Sequence, residues 1–193
     1  MVNKFNNEQE KYTWLNENSS YAKSRKVFAE PIFESLLSLQ MTSVCDVGTG
    51  GGAFCQWAVD NGCKNVYGVD FAIDPLFFNE GIKYIKAFAH DIPLPDDAVE
   101  YVTSFDMLEH VPEEDIDATF EEFKRLASKG WVFSIAHFDS MSFREVLGSL
   151  HPTVKPRDWW HDKISKYGEV SFLPACGNGK GSGPNHSHWL VIL

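Results

Sequence analysis

Ser43-Val44-Cys45-Asp46-Val47-Gly48-Thr49-Gly50-Gly51-Gly52-Ala53 is the stretch whose reading decides the fold. Val44, Cys45 and Val47 make an apolar strand, Asp46 sets an acid near its end, and the glycine run leads into Ala53 to Val59, which reads as a helix. A strand that turns at once into a helix needs positive φ. Glycine supplies it and lets a ligand approach bare backbone. The helix start also offers unpaired N–H groups to a carboxylate or phosphate.

Two cofactor classes use such a turn. Gly48, Gly50 and Ala53 fit the dinucleotide pattern G-x-G-x-x-G/A. Asp46, Gly48, Gly50 and Gly52, as acid-x-G-x-G-x-G, resemble the first motif of class I S-adenosylmethionine-dependent methyltransferases. The acid separates the two: a carboxylate at this strand end repels a doubly negative pyrophosphate, whereas S-adenosylmethionine brings an ammonium and a sulfonium.

Downstream, Asn65 to Asp70 reads as a second short buried strand ending in an acid, 22 positions after Gly48. A carboxylate there suits the two ribose hydroxyls of an adenosine, two donors for two oxygens; the alternative is an Asp that caps the next helix with Pro75. Lys83 to Phe88 is a third strand and Tyr101 to Phe105 a fourth, with Ala89-His90-Asp91-Ile92-Pro93-Leu94-Pro95 between them and Asp106-Met107-Leu108-Glu109-His110-Val111 after. The series D-V-G-T-G-G-G, G-V-D, H-D-I-P-L-P-D-D-A-V-E-Y-V and S-F-D-M-L-E-H-V resembles four successive motifs of the class I family that includes ubiquinone-pathway and many glycan and small-molecule enzymes, over residues 43 to 136. The resemblance implies S-adenosyl-L-methionine as cofactor, held by Asp46, Gly48, Thr49, Gly50, Gly52, Asp70, Phe71, Asp91, Ile92, Phe105 and Asp106. In that set Asp91 receives the adenine amino group, Ile92 supplies backbone or apolar contact to the ring, and Phe105 and Asp106 lie beside the sulfonium.

The implied fold is a single α/β domain: a doubly wound, Rossmann-like, seven-stranded, mostly parallel sheet with an antiparallel last strand. Residues 1 to 40 would form a helical lid or cap over a core of residues 41 to 193, with an acceptor-side insertion from about 137 to 167. Glu8 to Leu15 and Tyr21 to Leu39 have helical character, Pro31 suggests a break, and Tyr12, Trp14, Tyr21 and Arg25 are the side chains that would close over a ligand. Glu113 to Lys129 reads as an amphipathic helix ended by Gly130, and Trp131 to Ala136 as the fifth strand. Met141 to Leu150 and Pro156 to Tyr167 suggest short helices, and Glu169 to Leu173 with His188 to Leu193 the last strands, joined by a glycine-rich connection from Ala175 to Asn185.

The net charge of −10 over 193 residues argues against a broad grip on duplex nucleic acid, and between Asp46 and Glu122 seventeen acids face three lysines. An anionic acceptor could be met only near the two ends. No apolar run approaches a membrane span and the first residues hold no signal-peptide core, so the expected location is the cytoplasm. Cys45, Cys55, Cys63 and Cys176 show no C-x-x-C spacing and read as reduced thiols.

Transfer from a sulfonium is an in-line displacement with a good leaving group, so a base is needed only where the acceptor carries a proton. Asp106, Glu109 and His110 would share one helix face. In some phenol methyltransferases of the family a similar acid-x-x-E-H set holds a divalent metal, but Asp stands here where those enzymes have Glu, and no metal is assigned. His110 and His151 are the catalytic candidates, with His137 a further possible base. His186 and His188 alternate on a strand and as a metal pair lack a third ligand. Trp159 and Trp160 offer flat surfaces that could meet an acceptor ring or pack a helix on the sheet edge. Neither N-P-P-Y, D-P-P-Y nor Pro-Cys follows the fourth strand, which argues against amino-directed nucleic-acid, glutamine and cytosine C5 chemistry. The function expected is methyl transfer to oxygen or nitrogen of a small molecule or glycan. A nicotinamide-dependent oxidoreductase and a non-catalytic cofactor-binding regulatory protein are the alternatives.

Overall fold

The computed structural model describes residues 5, 7–19, 33–72, 80–140, 144–173 and 186–193. Tyr21, Arg25, Pro31, Pro75, Met141, Cys176 and the glycine-rich connection, all singled out in the sequence, lie outside the described residues. Within them the chain runs α1 (Glu8–Asn18), a 3₁₀ turn (Glu34–Leu39), β1 (Ser43–Val47), α2 (Ala53–Asp60), β2 (Asn65–Val69), β3 (Ile82–Ile85) and β4 (Val99–Phe105). It continues through two 3₁₀ turns into α3 (Ile116–Leu126), β5 (Ala127–Ala136), α4 (Arg144–Leu147), α5 (Arg157–Ile164), β6 (Glu169–Phe172) and β7 (His186–Ile192).

The described strands form one seven-stranded sheet in the order β3-β2-β1-β4-β5-β7-β6. Strands β1 to β5 pair in parallel, and β7 runs antiparallel to both β5 and β6. The chain winds outward from β1 to β3 and returns to lay β4 against the other side of β1. The carboxyl ends of β1 and β4 therefore flank a topological switch point, where ligands bind in open α/β sheets.

Strand side chains alternate between two cores, as a period of two requires. On one face Val44, Val66, Tyr101, Phe105 and Val132 pack with Phe33, Phe54 and Ala58. On the other, Cys45, Val47, Val69, Val102, Trp131 and Phe133 pack with Phe120 and Phe123 of α3, Trp160 of α5 and Trp189 of β7. Phe120 stacks on Trp131 at 5.8 Å and meets Trp160 edge-on at 6.5 Å. Each such ring contributes about 2 to 3 kcal/mol by leaving water. Cys45, Cys55 and Cys63 are buried and free.

Several boundaries differ from the sequence reading. The helix expected from Glu113 to Lys129 begins in a 3₁₀ turn and ends at Leu126, and β5 starts at the next residue. Gly130 does not end that helix; it lies within β5, where an added Cβ would come 2.2 Å from the Val191 carbonyl oxygen. The glycine marks close strand approach, not a cap. The third strand stops at Ile85, because residues 88 to 91 turn back on themselves through a bridge between Phe88 and Asp91. No helix among the described residues is long and apolar enough to cross a membrane.

Candidate active site

The turn after β1 has the backbone that the glycines suggest: φ is +77° at Gly48, +48° at Gly50 and +76° at Gly52. Two of the three also lack room for a side chain. A Cβ at Gly48 would stand 2.3 Å from Met107 Cγ, and one at Gly52 would stand 2.3 Å from the Tyr84 hydroxyl. The N–H groups of Gly48 and Thr49 both donate to Val69 O, at 2.8 and 3.1 Å, which ties the turn to the end of β2.

Asp46 lies beneath this turn, 3% exposed. Thr103 Oγ1 donates to its Oδ1 at 2.8 Å, and the Cys55 thiol approaches Oδ2 at 3.9 Å. Burial pushes its carboxyl from the ordinary 3.8 up to about 7, against the lowering effect of Thr103 and Thr49. Asp70 closes the turn from β2: Gly50 N–H donates to Oδ2 at 3.0 Å and Ala72 N–H to Oδ1 at 2.8 Å. Burial raises its carboxyl too, partly relieved by those two backbone donors and by Lys86. Phe71 stacks on Phe88 at 5.7 Å, and Phe88 stacks on His90 at 5.5 Å, so flat surfaces line the approach to Asp70.

The 91 to 97 segment is pinned from α3. Ile92 N–H donates to Glu122 Oε1 at 2.7 Å, and Arg125 donates to the carbonyls of Ile92 (3.0 Å) and Leu94 (2.7 Å). Asp91 is thereby held exposed at the surface, while Ile92 is buried with its N–H engaged, so only apolar contact remains of the two roles expected of it. Glu122 and Arg125 were missed in the sequence. Their signal was an E-x-x-R pair on the polar side of an amphipathic helix.

At the end of β4, Phe105 turns into the core between Phe33 and Phe54, at 5.3 and 5.0 Å. Asp106 has φ of +51°, a left-handed conformation that Asp tolerates better than most residues. Ser134 secures it: Asp106 N–H donates to Ser134 Oγ at 3.0 Å, and that hydroxyl donates to Asp106 Oδ1 at 2.7 Å. His186 Nε2 lies 3.0 Å from the same oxygen. Burial opposes the Asp106 charge, yet the hydrogen bonds and charge of His186 and the Ser134 hydroxyl outweigh it and hold the carboxyl below the usual range.

The expected helix carrying Asp106, Glu109 and His110 is a single 3₁₀ turn, Leu108–His110. Glu109 is fully buried; its Oε1 accepts Ala136 N–H at 3.2 Å, and burial, then Asp106, raise its carboxyl well above the ordinary value. His110 Nδ1 lies 2.6 Å from Leu150 O and is hydrogen-bonded to the Tyr12 hydroxyl. Burial and the neighbouring His151 push His110 down to about 3. His151 meets His110 edge-on at 4.5 Å, and its Nδ1 lies 2.6 Å from Phe138 O. The two catalytic candidates are thus brought together, joined by Tyr12, Glu109 and His186.

The other candidates are placed elsewhere. His137 has both ring nitrogens engaged, by Lys155 O at 2.9 Å and Ser187 Oγ at 2.6 Å. Trp160 is fully buried, and Trp159 lies edge-on to it beside the ammonium groups of Lys155 and Lys163. Tyr12, expected to close over a ligand, meets His110, whereas Trp159 packs beside Trp160.

A glycine turn at the switch point, an acid closing it from the second strand and a left-handed acid ending the fourth define a class I S-adenosylmethionine-dependent methyltransferase. Residues 45–135 match the family model of the methyltransferase domain. It is an enzyme, and its cofactor is S-adenosyl-L-methionine. The fold is shared with solved structures of low identity. One is magnesium protoporphyrin IX methyltransferase from Synechocystis PCC 6803 with bound S-adenosylmethionine (13% identity, TM-score 0.63, 99% of each chain). Another is the 1,6-didemethyltoxoflavin-N1-methyltransferase of Burkholderia thailandensis, solved with 1,6-didemethyltoxoflavin and S-adenosylhomocysteine (11% identity, TM-score 0.69, 95% of this chain and 85% of that one). A third, from Anabaena variabilis ATCC 29413, is titled as a methyltransferase of an antibiotic biosynthesis pathway (16% identity, TM-score 0.58, 74% of this chain); this chain spans 63% of its length. No curated protein matches the chain significantly.

Proposed function

We propose that this enzyme transfers the methyl group of S-adenosylmethionine to an oxygen or nitrogen of a small molecule or glycan. One observation carries the choice of atom: Asp106, Glu109, His110, His151 and His186 gather at the end of β4, beside the methionine Met107 that covers Gly48. A proton-bearing acceptor must lose its proton around the moment of attack, and a group of carboxylates and imidazoles is the chemistry that such a loss requires.

In this reading Asp70 accepts the ribose hydroxyls, its two oxygens already aligned by the N–H groups of Gly50 and Ala72. Asp91 receives the adenine amino group, the ring being received among Phe71, Phe88 and Ile92. The turn from Gly48 to Gly52, with Thr49, cradles the methionine part, Asp46 supplies negative charge beneath it, and Asp106 lies at the sulfonium end. Phe105 acts from the core side by fixing the strand end. His110 and His151 face the acceptor, and the segment with Tyr12 covers it.

The test is turnover of labelled S-adenosylmethionine on a panel of hydroxyl, amine and activated-carbon acceptors, beside titration with S-adenosylhomocysteine and with a nicotinamide dinucleotide. Product from a hydroxyl or amine, with S-adenosylhomocysteine bound in preference, is expected. Methylation of carbon alone refutes the choice of atom, and tight dinucleotide binding alone refutes the cofactor roles.

A further inference from the structure

In the loop between β3 and β4, every backbone N–H from residue 91 to residue 95 is either engaged or missing. Asp91 N–H donates to Phe88 O at 3.2 Å, Ile92 N–H to Glu122 Oε1 at 2.7 Å and Leu94 N–H to Ile92 O at 2.7 Å. Pro93 and Pro95 have none to give. A ligand that reaches this stretch therefore meets no free backbone donor. The Asp91 carboxylate is the opposite case: it is exposed and makes no hydrogen bond among the described residues.

Glu122 and Arg125, one turn apart on α3, hold the loop in this state. All five guanidinium N–H groups of Arg125 are used. Nε and one Nη2 donor form a fork with the two oxygens of Glu122, each at 2.7 Å. The second Nη2 donor goes to Ile92 O at 3.0 Å, and the Nη1 donors go to Leu94 O at 2.7 Å and Asp96 Oδ1 at 3.0 Å. Glu122 Oε1 takes the Ile92 N–H as well. A fork of this kind is planar and charge-assisted, and a lysine ammonium cannot reproduce it. The Glu122 side chain is 11% exposed, so the fork is largely out of water while the neighbouring Asp91 carboxylate stays in it. Phe88, stacked on Phe71 and His90, sets flat faces beside that carboxylate.

We propose that Glu122 and Arg125 are positioning residues that fix Asp91 as the sole side chain from residues 91 to 95 to read the base, and so set a preference for 6-aminopurines. The inference rests on the reading above in which Asp91 receives the adenine amino group. A carboxylate only accepts, so it bonds an exocyclic amino group and repels a carbonyl oxygen in the same place. Ring nitrogen N1 of adenine is an acceptor, and with Ile92 N–H taken by Glu122 it goes unread by this stretch. The base is therefore told apart at one position: oxygen at C6 is rejected, whereas replacing N1 by CH costs little. A 6-oxopurine does carry a donor at N1, and a loop free to shift would bring the carboxylate to it. The fork prevents that shift, which is how a pair that never touches the base governs its selection.

The experiment measures, by calorimetry on the full-length chain, the binding of S-adenosylhomocysteine, of S-inosylhomocysteine with oxygen at C6, and of the 1-deaza analogue of S-adenosylhomocysteine. The wild type should bind the inosine probe at least about tenfold more weakly than S-adenosylhomocysteine, a hydrogen bond to a charged group being lost, and the 1-deaza probe within about threefold. Arg125→Lys keeps the charge without the fork; it should weaken S-adenosylhomocysteine at least about fivefold and leave the inosine probe within about twofold. Glu122→Gln keeps an oxygen for Ile92 N–H and should erode selectivity in the same direction, which covers an Arg125→Lys chain that fails to fold. A merely structural pair would weaken all the probes together, and that result overturns the proposal. Binding of the 1-deaza probe more than about tenfold below S-adenosylhomocysteine overturns it too, since N1 would then be read. Asp91→Ala separates the inference from the reading beneath it. Selectivity lost in Asp91→Ala but intact in both α3 variants refutes the positioning role alone, whereas selectivity intact in Asp91→Ala refutes the adenine contact itself.

Discussion

Replacing Asp46 by asparagine is expected to stabilise the ligand-free protein at pH 8 by about 2 to 4 kcal/mol more than it does at pH 4. The carboxyl is 3% exposed and titrates at about 7 in place of 3.8, because burial disfavours its charge more than Thr103 and Thr49 favour it. Between those pH values the unfolded chain has given up this proton and the folded chain has kept it. Stability therefore falls as pH rises from about 4 to about 7, then levels off once both states are ionised. At 1.36 kcal/mol per pH unit the span of roughly three units gives about 4 kcal/mol as the upper end, and relaxation around the charge lowers it. Asparagine keeps an oxygen for the Thr103 hydroxyl, 2.8 Å away, and carries no charge to desolvate. Urea unfolding of both proteins at pH 4.5, 6 and 8 reads the effect, since titrating groups not coupled to Asp46 cancel in the difference. A difference constant within about 0.5 kcal/mol across that range would refute the argument. The same carboxyl makes a second, linked expectation: a cation beside it favours ionisation, so S-adenosylmethionine affinity should rise between pH 5 and 7 in the wild type and stay flat in the variant.

Asp70→Ala should weaken S-adenosylmethionine binding at least about tenfold by isothermal titration, since it removes the proposed contact to two hydroxyls and the anchor for Gly50 N–H. Gly48→Ala sets a Cβ 2.3 Å from Met107 Cγ at φ of +77°, and should lower unfolding free energy by more than about 2 kcal/mol, the left-handed strain of about 1 kcal/mol adding to the clash. Trp160→Ala, in the core beside Phe120, should cost about 3 to 5 kcal/mol in urea unfolding while leaving cofactor affinity unchanged, because Trp160 packs the sheet and meets no proposed ligand.

Local signals made the first half of the site legible. Strand, glycine turn and helix are written within eighteen consecutive residues, 43 to 60, and the acid at position 70 follows at a distance fixed by one βαβ unit, so Asp46, Gly48 and Asp70 could be placed by counting. The acceptor side depends on long-range packing. His110 meets Tyr12 across 98 positions, and His186 meets Asp106 across 80. No periodicity links residues so far apart. The tryptophan pair was ambiguous for a related reason: composition shows flat surfaces but not which way α5 turns, and Trp160 is spent on the core. Gly130 misled because a glycine after an amphipathic helix usually caps it, whereas here the requirement came from Val191 on the neighbouring strand.

The acids of the site share one physical condition. Burial raises the carboxyls of Asp46, Asp70 and Glu109, and Asp106 keeps its charge through His186, Ser134 and, at longer range, His188. Four carboxyl groups set around the ends of β1, β2 and β4 make a region in which added negative charge is costly and added positive charge relieves the strain of burial. A doubly negative pyrophosphate over the turn would raise every one of these carboxyls further. A sulfonium and an ammonium would lower Asp46, so these buried acids favour a cationic cofactor over a diphosphate.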